Sequence, residues 1–127
     1  MHREVSNVYM HQFLTDGIIY SSYKRNMVIT LEAAKQCIED RKVLCNNSAL
    51  PLLVDARSVC KMTREARNYF GSAAGYEFLS AAAIVSDSIL STFIANFLIQ
   101  VNLKKTPIPV KIFSSKREAI NWLTRYK

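Results

Sequence analysis

Glycine is scarce, with three in 127 residues. A phosphate cradle built from a glycine-rich loop is thereby excluded, and no GxGxxG, P-loop, GxSxG or HExxH pattern occurs. Histidine is scarcer still, only His2 and His11. A metal centre or a nucleophile–histidine pair has little to draw on. His11 falls on an alternating strand pattern and reads as a surface or partly buried histidine. The cysteines Cys37, Cys45 and Cys60 are odd in number and form no CxxC. No disulfide framework, zinc site or cofactor is expected. Cys37 sits on a helix pattern as a small hydrophobe, and Cys60 has no base near it in sequence. No carboxylate pair stands out, so the chain reads as a non-enzyme. The opening MHREVSNVYM lacks the apolar core of a signal peptide. The longest uncharged run, Ser88 to Leu103, is too short and too polar to span a bilayer. A cytoplasmic, reducing setting is the expectation.

What is present is an ordinary globular balance, 50% apolar and 21% charged. The length suits one domain, 1–127, with one core. Net charge is +7, and from Lys104 to Lys127 seven basic residues face Glu118 alone. Such an end attracts nucleic acid, anionic lipid or an acidic protein face, or it is simply a solvated helix face. Trp122 and Tyr126 interleave with Arg125 and Lys127, but helical spacing puts both aromatics with Leu123 on the core side. With no base-reading motif beside the charge, nucleic acid is not the expected partner.

The pattern along the chain is alternating α and β. Val8 to Leu14 alternates, Gly17 to Tyr23 is a second β-rich run, and Asp16-Gly17 between them predicts a tight hairpin. Met27 to Ile29 is a short extended piece. Thr30 caps a helix whose stripe is Leu31, Ala34, Ile38 and Cys45, and Asn46-Asn47-Ser48 ends it. Leu52 to Val54, after Pro51, reads as a strand buried on both faces. Asp55 closes it, a polar loop follows, and Thr63 caps a helix from Arg64 to about Ala74 with Gly75 as terminator. Ala81 to Val85 is another buried strand. Ser86-Asp87-Ser88 starts a helix reaching about Asn102, Val110 to Phe113 is the last strand, and Ser115 with Glu118 forms a capping box for the final helix. The predicted order is ββαβαβαβα, an α/β fold with a mixed sheet, an N-terminal antiparallel hairpin and about four helices.

This order, with ITLEAAK (Ile29 to Lys35), LLVDARSV (Leu52 to Val59), MTREARNYF (Met62 to Phe70) and IANFLIQVN (Ile94 to Asn102), resembles the STAS domain, the SpoIIAA-like fold of bacterial anti-sigma-factor antagonists. It looks most like small stand-alone bacterial STAS-like proteins, and the resemblance covers nearly the whole chain. It implies a protein-binding regulatory or scaffold module. The family's switch is a serine in an Asp-Ser-Ser-Gly stretch at the helix start after the loop, phosphorylated to break binding. Here the aligned positions are Thr63, Arg64, Glu65 and Ala66, so a charged residue replaces the phosphorylatable serine.

Three regions are candidates for function. The first is the strand–loop–helix segment, with Asp55, Arg57, Ser58, Thr63, Arg64 and Arg67 as a binding surface. Arg64 and Arg67, three apart, can hold one anion together. The bland alternative is that Asp55 caps loop amides, Thr63 caps the helix and the arginines are solvated or pair with Glu65 or Asp55. The second is the uncharged helix Ser88 to Leu103, where Phe93, Asn96, Phe97 and Gln100 are expected at an interface, most simply of a homodimer. Ordinary burial is the alternative. A small-ligand or lipid carrier, with its pocket under helix 88–103, is the second functional reading. The third is the basic end, with Lys104-Lys105 flanking the apolar helix as in interfacial membrane contacts.

Overall fold

The computed structural model describes residues 3–57, 59–87 and 106–127. An antiparallel meander comes first: β1 (Arg3–Ser6), β2 (Met10–Thr15) and β3 (Ile18–Tyr23). Asp16 and Gly17 turn β2 into β3 with φ of 51° and 77°, the left-handed pair that a two-residue hairpin needs. The Asn7 carboxamide oxygen accepts from the amides of Tyr9 and Met10 at 2.7 and 3.0 Å and so shapes the β1–β2 turn. There follow β4 (Met27–Ile29), α1 (Leu31–Cys45), β5 (Leu50–Asp55), β6 (Val59–Met62), α2 (Arg64–Phe70), the single turn α3 (Ala73–Tyr76) and β7 (Leu79–Val85). Beyond residue 105 come β8 (Val110–Phe113), α4 (Lys116–Leu123) and a 3₁₀ turn, Thr124–Tyr126.

The main sheet runs β1-β2-β3-β5-β7-β8, antiparallel through β3 and parallel from there on. α1 packs on one face over the meander, and α4 packs on the other under β5 and β7. The first face buries Met10, Ile19, Tyr23, Ala34, Cys37 and Leu44, and the second Ile18, Leu53, Ala83, Val85, Ala119 and Leu123. The mixed sheet, the hairpin and the α/β order match the sequence reading. Trp122 and Tyr126 pack against the second core, as their spacing predicted.

Four elements differ from the sequence reading. The hairpin is preceded by a third strand, β1, which forms the edge in its place. Its sequence, Arg-Glu-Val-Ser, hides the strand because edge strands tolerate charge. The loop after Asp55 is not all loop, since β6 lies within it and pairs in parallel with β4 to form a separate two-stranded sheet. The helix expected from Arg64 to Ala74 stops at Phe70. Gly71 caps its end and the Ser72 hydroxyl donates to the Tyr69 carbonyl, which starts a new turn. Gly75 then lies inside α3 rather than ending a helix. The helix expected over Ser88 to Asn102 lies outside the described residues, and with it Phe93, Asn96, Phe97 and Gln100.

Candidate functional site

β5 brings Asp55 to the carboxyl end of a central parallel strand, where open α/β sheets place their ligands. Asp55 is committed to Arg57. The guanidinium donates through Nε to Oδ1 at 2.9 Å and through Nη2 to Oδ2 at 2.6 Å, and the Arg57 amide donates to Oδ1 at 3.1 Å. The side-chain bond from Arg57 holds the Asp55 carboxyl below its ordinary range, against a smaller upward push from partial burial. Between them, Ala56 is buried and its amide donates to the Val85 carbonyl at 2.9 Å, which ties the loop to β7.

β6 then carries the chain to α2. The Thr63 amide donates to the Ile29 carbonyl at 3.0 Å, and its hydroxyl accepts from the Ala66 amide at 3.2 Å. Thr63 is therefore a helix cap, as Thr30 is for α1. Arg64 is exposed. Arg67, one turn on, folds back and donates from Nη1 to the Met62 carbonyl at 2.9 Å. The two arginines thus reach different surroundings, Arg64 the surface and Arg67 the wall of an internal cavity. Ser58 lies outside the described residues.

The exposed charge of this region is mostly positive. Lys24 and Arg25 lie in the turn before β4, Arg57 and Lys61 flank and occupy β6, and Arg64 opens α2. The β4–β6 pairing sets Met27 against Val59 and Val28 against Lys61, so the two segments share one small sheet. The neighbouring acids include Asp55, already bridged to Arg57, Asp87, whose charge also acts on Arg57, and Glu65. Among the described residues no group of three or more His, Cys, Asp or Glu side chains is placed to hold a metal ion.

A partly open cavity of about 100 Å³ lies on the α1 face of the sheet. Ala82 of β7, paired with Leu52 and Val110, is too small to fill the space beneath α2 and α3. Arg41 of α1 lines it and is 4% exposed. Arg41 is not among the residues the sequence singles out. Its position between Ile38 and Cys45 on the buried stripe was the available signal.

The Asp55–Arg57 pair makes a pH prediction. A carboxyl held low in the folded state contributes stability that is fully present above its unfolded pKa of about 3.9 and is lost as pH falls through the lower folded value. The pair is solvent-screened, so Asp55→Asn costs no more than about 1 kcal/mol at pH 7. The melting-temperature gap between wild type and Asp55→Asn is expected to shrink below about pH 4. An equal gap at pH 7 and pH 3 would contradict the pairing.

Two solved structures are similar over nearly the whole chain. An anti-sigma factor antagonist from Mycobacterium paratuberculosis is 15% identical with a TM-score of 0.61, covering 98% of this chain and 95% of its own. An uncharacterised DUF3478 protein with a SpoIIAA-like fold, from Shewanella loihica PV-4, is 17% identical with a TM-score of 0.57, covering 94% and 98%. At such identities the likeness is one of fold, and the fold is SpoIIAA-like, of STAS type. None of the curated proteins matches. A family model described as a domain of unknown function, DUF7793, matches residues 12–127, and the chain belongs to that family.

Proposed function

We propose that this protein is a non-enzymatic regulatory or scaffold module that binds a protein partner through the β5–α2 segment and the β4–β6 sheet. The observation that carries this reading is the exposed cationic group Lys24, Arg25, Lys61 and Arg64, gathered from two chain segments by one parallel pairing, with Arg57 beside them paired to Asp55. Such a surface fits an acidic protein face, and complementary charge speeds encounter and fixes register. The fold, shared with a protein described as an anti-sigma factor antagonist, supports a binding role by analogy. Arg64 stands at the family's switch position, and the Thr63 hydroxyl is occupied as a cap, so binding is constitutive rather than phosphate-switched.

Arg64→Glu tests the surface. It is expected to abolish enrichment of a cross-linked partner from cell extract while leaving the melting temperature within about 2 °C, because an exposed substitution away from caps and core changes stability little. Equal enrichment by wild type and Arg64→Glu removes Arg64 from the interface. The second part of the reading is a homodimer through the uncharged segment bearing Phe93, Asn96, Phe97 and Gln100. It rests on the sequence pattern, and native mass spectrometry is expected to show a dimer. A monomer across micromolar concentrations removes it.

A further inference from the structure

The cavity on the α1 face has walls of two kinds. Met10, Leu52, Met62, Phe70, Ala82 and Ile84 make it largely apolar. Set into those walls are Arg67, half-buried with its Nη1 on the Met62 carbonyl, and the Arg41 guanidinium, almost wholly withdrawn from solvent. Its Nη2 donates to the carbonyls of Gly75 at 3.0 Å and Glu77 at 3.4 Å. Its Nε has no hydrogen-bond partner among the described residues. No carboxylate pairs with it there, since the Glu77 carboxylate bridges instead to Lys42 at 3.6 Å and Asp40 accepts from Asn7 and Gln36. A buried cation without a counter-charge is costly, and native proteins seldom leave one so.

The groups around it do not supply the missing charge. Burial pushes the Cys37 thiol up to about 12 and raises the Cys45 thiol and the Tyr23 phenol as well, so all three stay neutral. The polar pair Gln12 and Ser21 is closed on itself. Ser21 donates to the Gln12 carbonyl oxygen at 2.7 Å, and the Gln12 amide donates to the Cys37 carbonyl at 2.9 Å. Tyr23 lines the same cavity.

We infer that this cavity is a binding site for a small monocarboxylate with a short apolar body, its carboxylate received by Arg41 and Tyr23 and its hydrocarbon part by Met10, Met62, Phe70 and Ile84. The planar guanidinium of Arg41 suits a carboxylate. The size fits as well. An apolar cavity of about 150 Å³ takes benzene, so about 100 Å³ takes a ligand of about four to six heavy atoms. This site is distinct from the cationic surface of the proposed protein interface, and either can fail without the other.

Butyrate is the probe, with butyramide as its uncharged counterpart of equal size and butylammonium as the opposite charge. Ligand-observed NMR titrations of the intact chain are expected to give butyrate a Kd on the order of 0.1–1 mM, the range open to so few atoms. Butyramide is expected at least about tenfold weaker, as for loss of a charge-assisted hydrogen bond, and butylammonium should not bind. Arg41→Met keeps an apolar side chain of similar length and is expected to abolish the preference for butyrate. Tyr23→Phe, which removes one oxygen from a buried ring, is expected to weaken butyrate severalfold and serves if Arg41→Met does not fold. Equal binding of butyrate and butyramide, no binding of butyrate up to about 50 mM, or undiminished preference in a folded Arg41→Met protein would each overturn the inference. Arg41 would then be only a clamp on the α3–β7 connection.

Discussion

Gly75→Ala is expected to lower the melting temperature by more than about 10 °C or to leave the chain unfolded. A Cβ on Gly75 would overlap the Phe70 carbonyl oxygen and stand 2.5 Å from the Phe70 carbonyl carbon and 2.8 Å from its Cα. All three obstacles are backbone, so no rotamer change relieves them. Either the end of α2 or the α3 turn must move, and movement of the α3 turn carries the Gly75 carbonyl away from Arg41. Overpacking against a fixed neighbour costs about 1–3 kcal/mol and sometimes more. Loss of a buried hydrogen bond to a charged group adds about 1.5–3 kcal/mol. At about 4 °C per kcal/mol for a chain of this size, the combined shift exceeds 10 °C. Thermal unfolding followed by circular dichroism measures it. A change under about 2 °C would mean that α2 and α3 do not approach as closely as described.

The second large effect is expected at Leu53. It is 1% exposed, lies in the middle of β5 between Tyr20 of β3 and Ala83 of β7, and packs with Ala119 and Leu123 of α4. Its neighbours on that face include Ala81, Ala83 and Ala119, none of which can extend to fill a void. Leu53→Ala therefore leaves most of its volume empty and is expected to cost about 3–5 kcal/mol, the upper part of the usual range for such truncations. Denaturant titration checks this through the midpoint at unchanged slope. Val43→Ala, at a site 70% exposed on α1, is the control and is expected within about 0.5 kcal/mol of wild type. Similar losses at both positions would mean that Leu53 is not the centre of the second core.

The parts of the fold that could be read from the sequence are those whose signal is local. Asp16-Gly17 declares a left-handed turn by composition, and Thr30, Thr63 and Ser115 declare helix starts because an N-cap is a local hydrogen bond. Buried parallel strands declare themselves as apolar runs, as in Leu52 to Val54 and Ala81 to Val85. β6 was hidden because its pairing is remote. Val-Cys-Lys-Met carries little pattern of its own and becomes a strand through β4, which lies before α1 in the chain. β1 was hidden by its charges. The break at Gly71-Ser72 was visible as composition, but the apolar spacing of Tyr69, Phe70 and Ala73 argued for continuity and masked it.

The candidate site divides the same way. The Asp55–Arg57 pair and the Thr63 cap follow from neighbours in sequence, and both were among the residues singled out. Which way Arg67 turns is decided by the Met62 carbonyl and by the space under α2, and neither has a sequence signature. Arg41 is the clearest omission. A charged residue at a core position is normally assigned to the wet face, and only the period of α1 contradicted that assignment.

The strand order also sets a timetable for folding. β1, β2 and β3 are consecutive and close through short turns, so little loop entropy opposes their pairing. β5 reaches β3 only across β4 and α1, and β7 reaches β5 only across β6, α2 and α3. Those parallel contacts are remote in sequence and their closure is slower. The chain therefore has a fast half and a slow half. The cavity and the cationic surface both depend on the slow half, because Leu52, Ala82 and β6 all belong to it. A nascent chain is expected to acquire its meander before the elements that complete the cavity and the cationic surface.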